Sequence, residues 1–229
     1  PLVRSRHPDA KAALCHSLHH RLLEAHPDAA CWLQQQYRMN EEIMSIPNAL
    51  VYDGRLICAN QTVSCRRLDV STDHPVLRAD RPVVFVDTDT YVLDSTHDTS
   101  ICTREEQRVG TSFSNAFEVE IVNSLVNGLL EAQLPAEAIA VISPFRPQLR
   151  LLKARLPNTI ELATVDRFQG RDFPCVIVSL VRSNPLQMVG ELVSDWQRIN
   201  VAFTRAQCKL VVVGSRSTLR ASLIFDLFL

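Results

Sequence analysis

Three short segments of this 229-residue chain combine residue types that can handle a nucleotide. The first is Gln36-Tyr37-Arg38-Met39-Asn40, which follows the apolar pair Trp32-Leu33. Tyr37 offers a flat face for a base and Arg38 a guanidinium fork for phosphate oxygens. A surface arginine beside a half-buried tyrosine is the alternative reading of that pair. The second runs from Thr164 to Asp172, Thr-Val-Asp-Arg-Phe-Gln-Gly-Arg-Asp, and leads into the apolar run Cys175–Val181 and then Arg182-Ser183-Asn184. A glycine among polar residues, here Gly170, lets backbone approach a phosphate closely, and Asp172 can accept from ribose hydroxyls. A polar connection with a glycine turn would have the same composition. The third is Arg198-Ile199-Asn200-Val201-Ala202-Phe203-Thr204-Arg205-Ala206. Ile199, Ala202 and Phe203 make one buried helical face, and Arg205 projects near the helix end. There it can reach a phosphate held by another domain or simply answer the helix dipole.

Other chemistries lack their residues. No G-x-x-x-x-G-K-[ST] phosphate loop, G-x-G-x-x-G, G-x-S-x-G or H-E-x-x-H occurs, and only six glycines are present. His16 and His20 stand four apart on the first helix, but no third ligand lies nearby in sequence, so no metal is expected. The seven cysteines are odd in number and form no C-x-x-C pair. They read as reduced, mostly buried thiols of a cytosolic or nuclear protein. Pro1 in place of Met, with no signal peptide, points to a piece of something longer.

The elements that must position the three segments follow from patterning. Hydrophobic residues make up 46% and charged residues 21% of the chain, which is globular composition and excludes disorder as the main state. No apolar run approaches the ~18 residues a membrane span needs. Helices are expected over 11–25 (Leu14, Leu18, Leu22, Leu23), from a cap at Asn40, over 115–134 (Phe117, Ile121, Leu125, Leu129), over 147–156 and over 195–206. Unbroken apolar runs at 83–86, 139–142, 160–165, 175–181 and 210–213 read as buried strands. Asp53-Gly54 marks a turn, 59–81 reads as irregular or weakly extended, and 87–110 as a long surface loop. Strands alternating with helices imply an α/β fold with a parallel sheet covered on both faces. No linker divides the chain. The net charge is −1, yet residues 85–137 hold ten acidic and two basic side chains, while 145–171 hold six basic and two acidic ones. The basic stretch is either a solvated face or a surface for phosphates.

Taken together and in this order, Q-Y-R-M, V-D-R-F-Q-G-R-D and R-I-N-V-A-F-T-R-A resemble motifs IV, V and VI of superfamily 1 helicases, in the group containing the nonsense-mediated-decay RNA helicase. Ile142-Ser143-Pro144-Phe145-Arg146-Pro147-Gln148 is similar to the group's intervening element, and Val178–Asn184 to the strand and turn after motif V. Q-Y-R-M-N-E-E-I-M-S, S-L-V-R-S-N and V-G-E-L-V-S-D-W-Q-R-I-N-V-A-F-T-R-A are closest to the helicase/nuclease branch that acts in DNA replication, and Pro1-Leu2-Val3 resembles the tail that closes that branch's first motor domain. The resemblance covers nearly the whole chain apart from 59–114.

It implies a RecA-like three-layer α/β domain of the P-loop NTPase superfamily, lacking its own Walker A loop. Residues 1–229 would be the second motor domain of an ATP-dependent DNA helicase, with 1–35 an opening helical region. It further implies that Arg38 and Arg205 are catalytic arginine fingers on the γ-phosphate, that Tyr37 stacks on adenine, that Gln169 and Gly170 lie at the phosphates, and that Asp172 takes a ribose-binding position usually held by Glu. Pro144, Phe145, Thr164, Arg182 and Ser183 would contact single-stranded nucleic acid. ATP with Mg²⁺ would be bound mainly by the first RecA-like domain of the same polypeptide, and any iron–sulfur cluster or nuclease would lie elsewhere in the parent. The implied partners are single-stranded DNA, or else RNA, and a single-strand-binding protein, with no membrane, in the nucleus, or in the mitochondrion as well. This chain alone would be inactive. An RNA or RNA/DNA helicase of the same group is the alternative. A non-catalytic RecA-like adaptor is another, against which Arg38, Arg182 and Arg205 all speak.

Overall fold

Runs such as Val83–Val86 and Leu210–Val213 carry no polar interruption because strands buried on both faces need none. The computed structural model describes residues 7, 9, 17–93, 103–168, 170–222 and 225. Its strands are β1 (Gln35–Gln36), β2 (Ile57–Cys58), β3 (Val83–Asp87), β4 (Gln107–Val109), β5 (Ser112–Ser114), β6 (Ile139–Ile142), β7 (Glu161–Ala163), β8 (Phe173–Ser179) and β9 (Ala206–Gly214). Five of them form one sheet in the order β3-β9-β8-β6-β7, and every pair in it is parallel.

Successive residues of each strand enter two different cores, as the pleat requires. Ala140, Ile142, Val176, Val178, Leu210 and Val212 pack on one side with Ile43 of the Glu41–Leu50 helix and Ile199, Ala202 and Phe203 of the Trp196–Phe203 helix. Ile139, Val141, Cys175, Ile177, Val211 and Val213 pack on the other side with Ile121, Val122, Leu125 and Leu129 of the Ala116–Glu131 helix and Leu152 of the Arg146–Arg155 helix. Each fully buried aliphatic side chain contributes about 1.5–3 kcal/mol relative to exposure, so the three-layer α/β arrangement follows from the strand pattern. Asparagines start three of the helices. Asn40, Asn60 and Asn115 accept from the amides of Ile43 (2.9 Å), Val63 (2.9 Å) and Glu118 (3.0 Å).

Two expectations need correction. The stretch read as irregular holds a helix at Gln61–Ser64, and the long loop ends in a hairpin, β4–β5, turning at Gly110 (φ +63°). Elements of three or four residues are shorter than the window in which periodicity shows. The turn at Asp53-Gly54 is present, both residues having positive φ.

The described residues also divide into two compact units between Gln34 and Gln35, a boundary no linker composition marks. The first holds the helix Leu18–Ala25, shorter than the expected 11–25; Leu14 and His16 lie outside the described residues. Cys31 and Cys65 are exposed free thiols, so burial is less general than expected, although Cys175 is fully buried. Among the described residues no group of three or more His, Cys, Asp or Glu is placed to hold a metal ion, and no helix is long and apolar enough to cross a membrane.

Candidate nucleotide and nucleic-acid site

A parallel sheet delivers the residues before its strands to one end and those after them to the other. Asp172 precedes β8 and Arg205 precedes β9; Pro144, Thr164 and Ser183 follow β6, β7 and β8. The seven residues of β8 separate the two groups by about 20 Å.

At the first end, Gln36 shapes the turn that presents Tyr37 and Arg38. Its Oε1 accepts from the amides of Arg38 (2.9 Å) and Met39 (2.8 Å), and its Nε2 donates to the Met39 carbonyl (2.7 Å). Arg66 Nη1 donates to the carbonyls of Tyr37 (3.0 Å) and Arg38 (2.8 Å). Asn40 then fastens the turn to β9. Its amide donates to Gln207 O at 2.9 Å, and its Nδ2 donates to Cys208 O (2.9 Å) and Arg66 O (3.0 Å). With the backbone so fixed, the Tyr37 ring is left 64% exposed, free to stack on a planar group.

Arg38 reaches the C-terminus of the Trp196–Phe203 helix, donating from Nη1 to Thr204 O at 3.2 Å, and its Nε lies 3.8 Å from Asp172 Oδ2. Arg205 is held in the same place. It donates from Nε to Val201 O (3.0 Å), from Nη1 to Arg171 O (3.2 Å) and from Nη2 to Thr204 Oγ1 (3.3 Å). Burial, and next the neighbouring Arg38 charge, push the Arg205 guanidinium below its ordinary range, with Asp172 pulling the other way. Two cations thus converge on Thr204, Arg205 buried and Arg38 half-exposed, with one half-exposed carboxylate, Asp172, paired to Arg38 and accepting from Gln207 Nε2. Such a cluster is short of negative charge and suited to a polyanion. Gly170 is exposed with φ +87° and open space where a side chain would stand. Gln169 lies outside the described residues.

At the other end, Pro144 and Thr164 are half-buried, while Phe145, Arg182 and Ser183 are buried. Phe145 meets the Phe113 ring edge-on, with centroids 5.9 Å apart. Arg182 lies 4.2 Å over the same Phe113 ring, donates from Nε to Glu106 Oε2 (2.8 Å) and from Nη1 to Val189 O (3.1 Å). Glu106 Oε2 also accepts from the Ser183 amide at 2.8 Å. Phe145 and Arg182 therefore shape this edge from beneath. Arg146, Arg150 and Lys153 are exposed on the Arg146–Arg155 helix at spacings that share one face.

The sequence reading missed the residues that hold these groups. Gln36, Asn40 and Arg66 build the Tyr37-Arg38 turn, Gln207 orients Asp172, and Glu106 anchors Arg182. Gln36 stands inside the Q-Y-R-M motif and could have been found, while Asn40 was legible as a helix cap but not as the tie to β9. Arg66 and Glu106 sit in segments without periodicity or motif, where no signal exists.

A family model described as an AAA domain matches residues 14–217. The DNA replication ATP-dependent helicase/nuclease of Arabidopsis thaliana is 39% identical over 213 residues, covering 89% of this chain and 15% of that protein. Its Schizosaccharomyces pombe counterpart is 34% identical over 240 residues (97% and 16%), and that of Mus musculus 36% over 244 residues (96% and 22%). The chain thus spans between 15% and 22% of the length of these relatives. With its five-stranded parallel sheet and its motif residues gathered at the two ends of that sheet, the chain belongs to the AAA domain family, as the C-terminal, second RecA-like domain of a superfamily 1 helicase related to the DNA replication helicase/nucleases.

Proposed function

We propose that this domain supplies positive charge to ATP held by a first motor domain of the same polypeptide, and grips single-stranded DNA at the opposite end of its sheet. The observation that carries the proposal is the convergence of Arg38 and Arg205 on Thr204, with Asp172 paired to Arg38 and the buried Arg205 guanidinium close enough to feel both charges. Hydrolysis of the terminal phosphoanhydride, assisted by Mg²⁺, is the chemistry supplied when nucleotide is bound between the domains. Arg38 and Arg205 neutralise the charge that grows on the phosphate oxygens, an effect that elsewhere contributes about 10³–10⁵ in rate. The Tyr37 ring covers the base, Gln169 and Gly170 lie at the phosphates, and Asp172 accepts from a ribose hydroxyl.

At the strand end, Pro144 and Thr164 meet the sugar–phosphate backbone, Ser183 offers it the small part of its surface left open, and the buried Phe145 and Arg182 shape the edge beneath. Arg146, Arg150 and Lys153 supply the electrostatic attraction that such tracking requires. Work on replicating DNA would place the protein in the nucleus.

The test uses the full-length polypeptide that carries this chain. Arg205→Ala should lower strand-stimulated ATP turnover by about 10³-fold or more while leaving oligothymidylate affinity within a few-fold. Near-normal turnover would overturn the assignment. Repeating the assay with an oligoribonucleotide decides between DNA and RNA.

A further inference from the structure

Between the end of β8 at Ser179 and Ser183, the residue assigned above to the strand-gripping edge, the backbone passes through a conformation that its own residue resists. Val181 has φ +72°, and across it the Arg182 amide donates to Leu180 O at 2.8 Å. This is a γ-turn of the rarer, strained hand, and a β-branched residue there is a genuine outlier.

Polar side chains from two other elements hold the turn. Glu118 Oε2 accepts from the Val181 amide at 3.0 Å, and Asn115 Nδ2 donates to Val181 O at 3.4 Å. Further along, Glu106 Oε2 accepts from the Ser183 amide, and the Glu106 amide donates to Ser183 O at 2.9 Å. Glu118 is itself fixed by the Ser179 hydroxyl, which donates to Oε2 at 2.6 Å and accepts from Gln148 Nε2 at 3.0 Å. Gln148 closes the chain by exchanging two hydrogen bonds with the Asn115 backbone, at 2.8 and 3.1 Å. Asn115, Glu118, Gln148 and Ser179 have no exposed surface.

Glu118 occupies a helix whose other inward positions are all apolar, from Phe117 and Val119 through Ile121, Val122, Leu125 and Val126 to Leu129. An aliphatic side chain would fill its place without the penalty of burying a carboxyl. What an aliphatic group lacks is an acceptor for the Val181 amide.

We propose that Glu118 is a positioning residue for the strand-gripping edge: its carboxyl on the Val181 amide, aided by Asn115 on the Val181 carbonyl, holds the strained turn that sets where Ser183 stands. This rests on the reading that Ser183 faces the strand. A neutral carboxyl does the work as well as an ionised one, because a single oxygen, Oε2, accepts both hydrogen bonds while Oε1 has no partner among the described residues.

The experiment measures strand-stimulated ATP turnover of the full-length polypeptide against oligothymidylate concentration. Glu118→Ala should raise the strand KM about tenfold, equivalent to about 1.4 kcal/mol, with kcat within twofold. Glu118→Gln keeps a carbonyl oxygen at the same place and should stay within about twofold of the parent in KM. The decisive variant is Glu118→Ala with Val181→Gly, since glycine adopts positive φ freely. It should restore the strand KM to within about threefold of the parent while its Tm falls below that of Glu118→Ala, because a buried valine side chain is lost. If Glu118→Ala does not fold, Glu118→Leu takes its place in both variants. An unchanged strand KM in Glu118→Ala, or a double variant whose KM worsens along with its Tm, would show that Glu118 only stabilises the core. A parent protein without any strand-stimulated turnover would instead sink the proposed function.

Discussion

Glu118 also allows a stability prediction with a worked magnitude. Complete burial pushes its carboxyl up to about 8 from 4.5, with the Glu106 charge adding to the rise and hydrogen bonds from Ser179 and Val181 opposing it. Among the described residues Oε1 has no hydrogen-bond partner, so nothing stabilises the ionised form at that oxygen. Between pH 4.5 and pH 8 the folded chain therefore keeps a proton that the unfolded chain has released. Unfolding free energy falls as pH rises wherever the folded state binds more protons. At about 1.4 kcal/mol per pH unit, rounded off near the two ends, the loss from pH 5.5 to pH 7.5 is about 2–3 kcal/mol. Lys209, whose ammonium burial pushes down to about 8, acts in the opposite sense and only above that pH, so the chosen window avoids it. The assay is urea unfolding of the parent chain and of Glu118→Gln at pH 5.5, 6.5 and 7.5. Groups common to both cancel in the difference. The parent should lose about 2–3 kcal/mol relative to Glu118→Gln across the window. Parallel curves for the two proteins would refute the reasoning, since the carboxyl would then titrate alike in both states.

Two further substitutions probe the scaffold around the sites. Asn40→Ala removes the cap on Ile43 and the Nδ2 hydrogen bonds to the partly buried Arg66 and Cys208 carbonyls; it should lower unfolding free energy by about 2–3 kcal/mol in urea. Gly190 has φ +80°, and a side chain there would collide with Arg182 Nη1. Gly190→Ala should therefore cost about 1–3 kcal/mol in the same assay, whereas a loss below a few tenths would mean that the Arg182 seat is not fixed.

Much of the layered architecture was legible because continuous apolar runs can satisfy only a strand buried on both faces. Val83–Val86, Ile139–Ile142, Cys175–Ser179 and Leu210–Val213 all fall in the sheet. Helix starts were legible where a capping side chain stands before a periodic run, as at Asn40 and Asn115. The β4–β5 hairpin and the Gln61–Ser64 helix were not, since three or four residues carry too little periodicity to be told from a loop. Arg182 shows a different limit. The resemblance gives it a contact with single-stranded nucleic acid, yet its partner Glu106 is 76 positions away in a segment without pattern, and together with Phe113 it draws the guanidinium inside.

By itself, then, the sequence determined the alternation of strands and helices, the short motifs and the chemistry each could perform, because these depend on neighbours a few residues apart. Only the tertiary structure decided which motifs act together. Arg38 meets Thr204 across 166 positions because Asn40 is bonded to β9 and Arg205 stands at the start of that strand. It also decided which polar groups face solvent, turning Glu118 and Arg182 inward, because burial is set by every element that closes over a residue and not by the residue's own type.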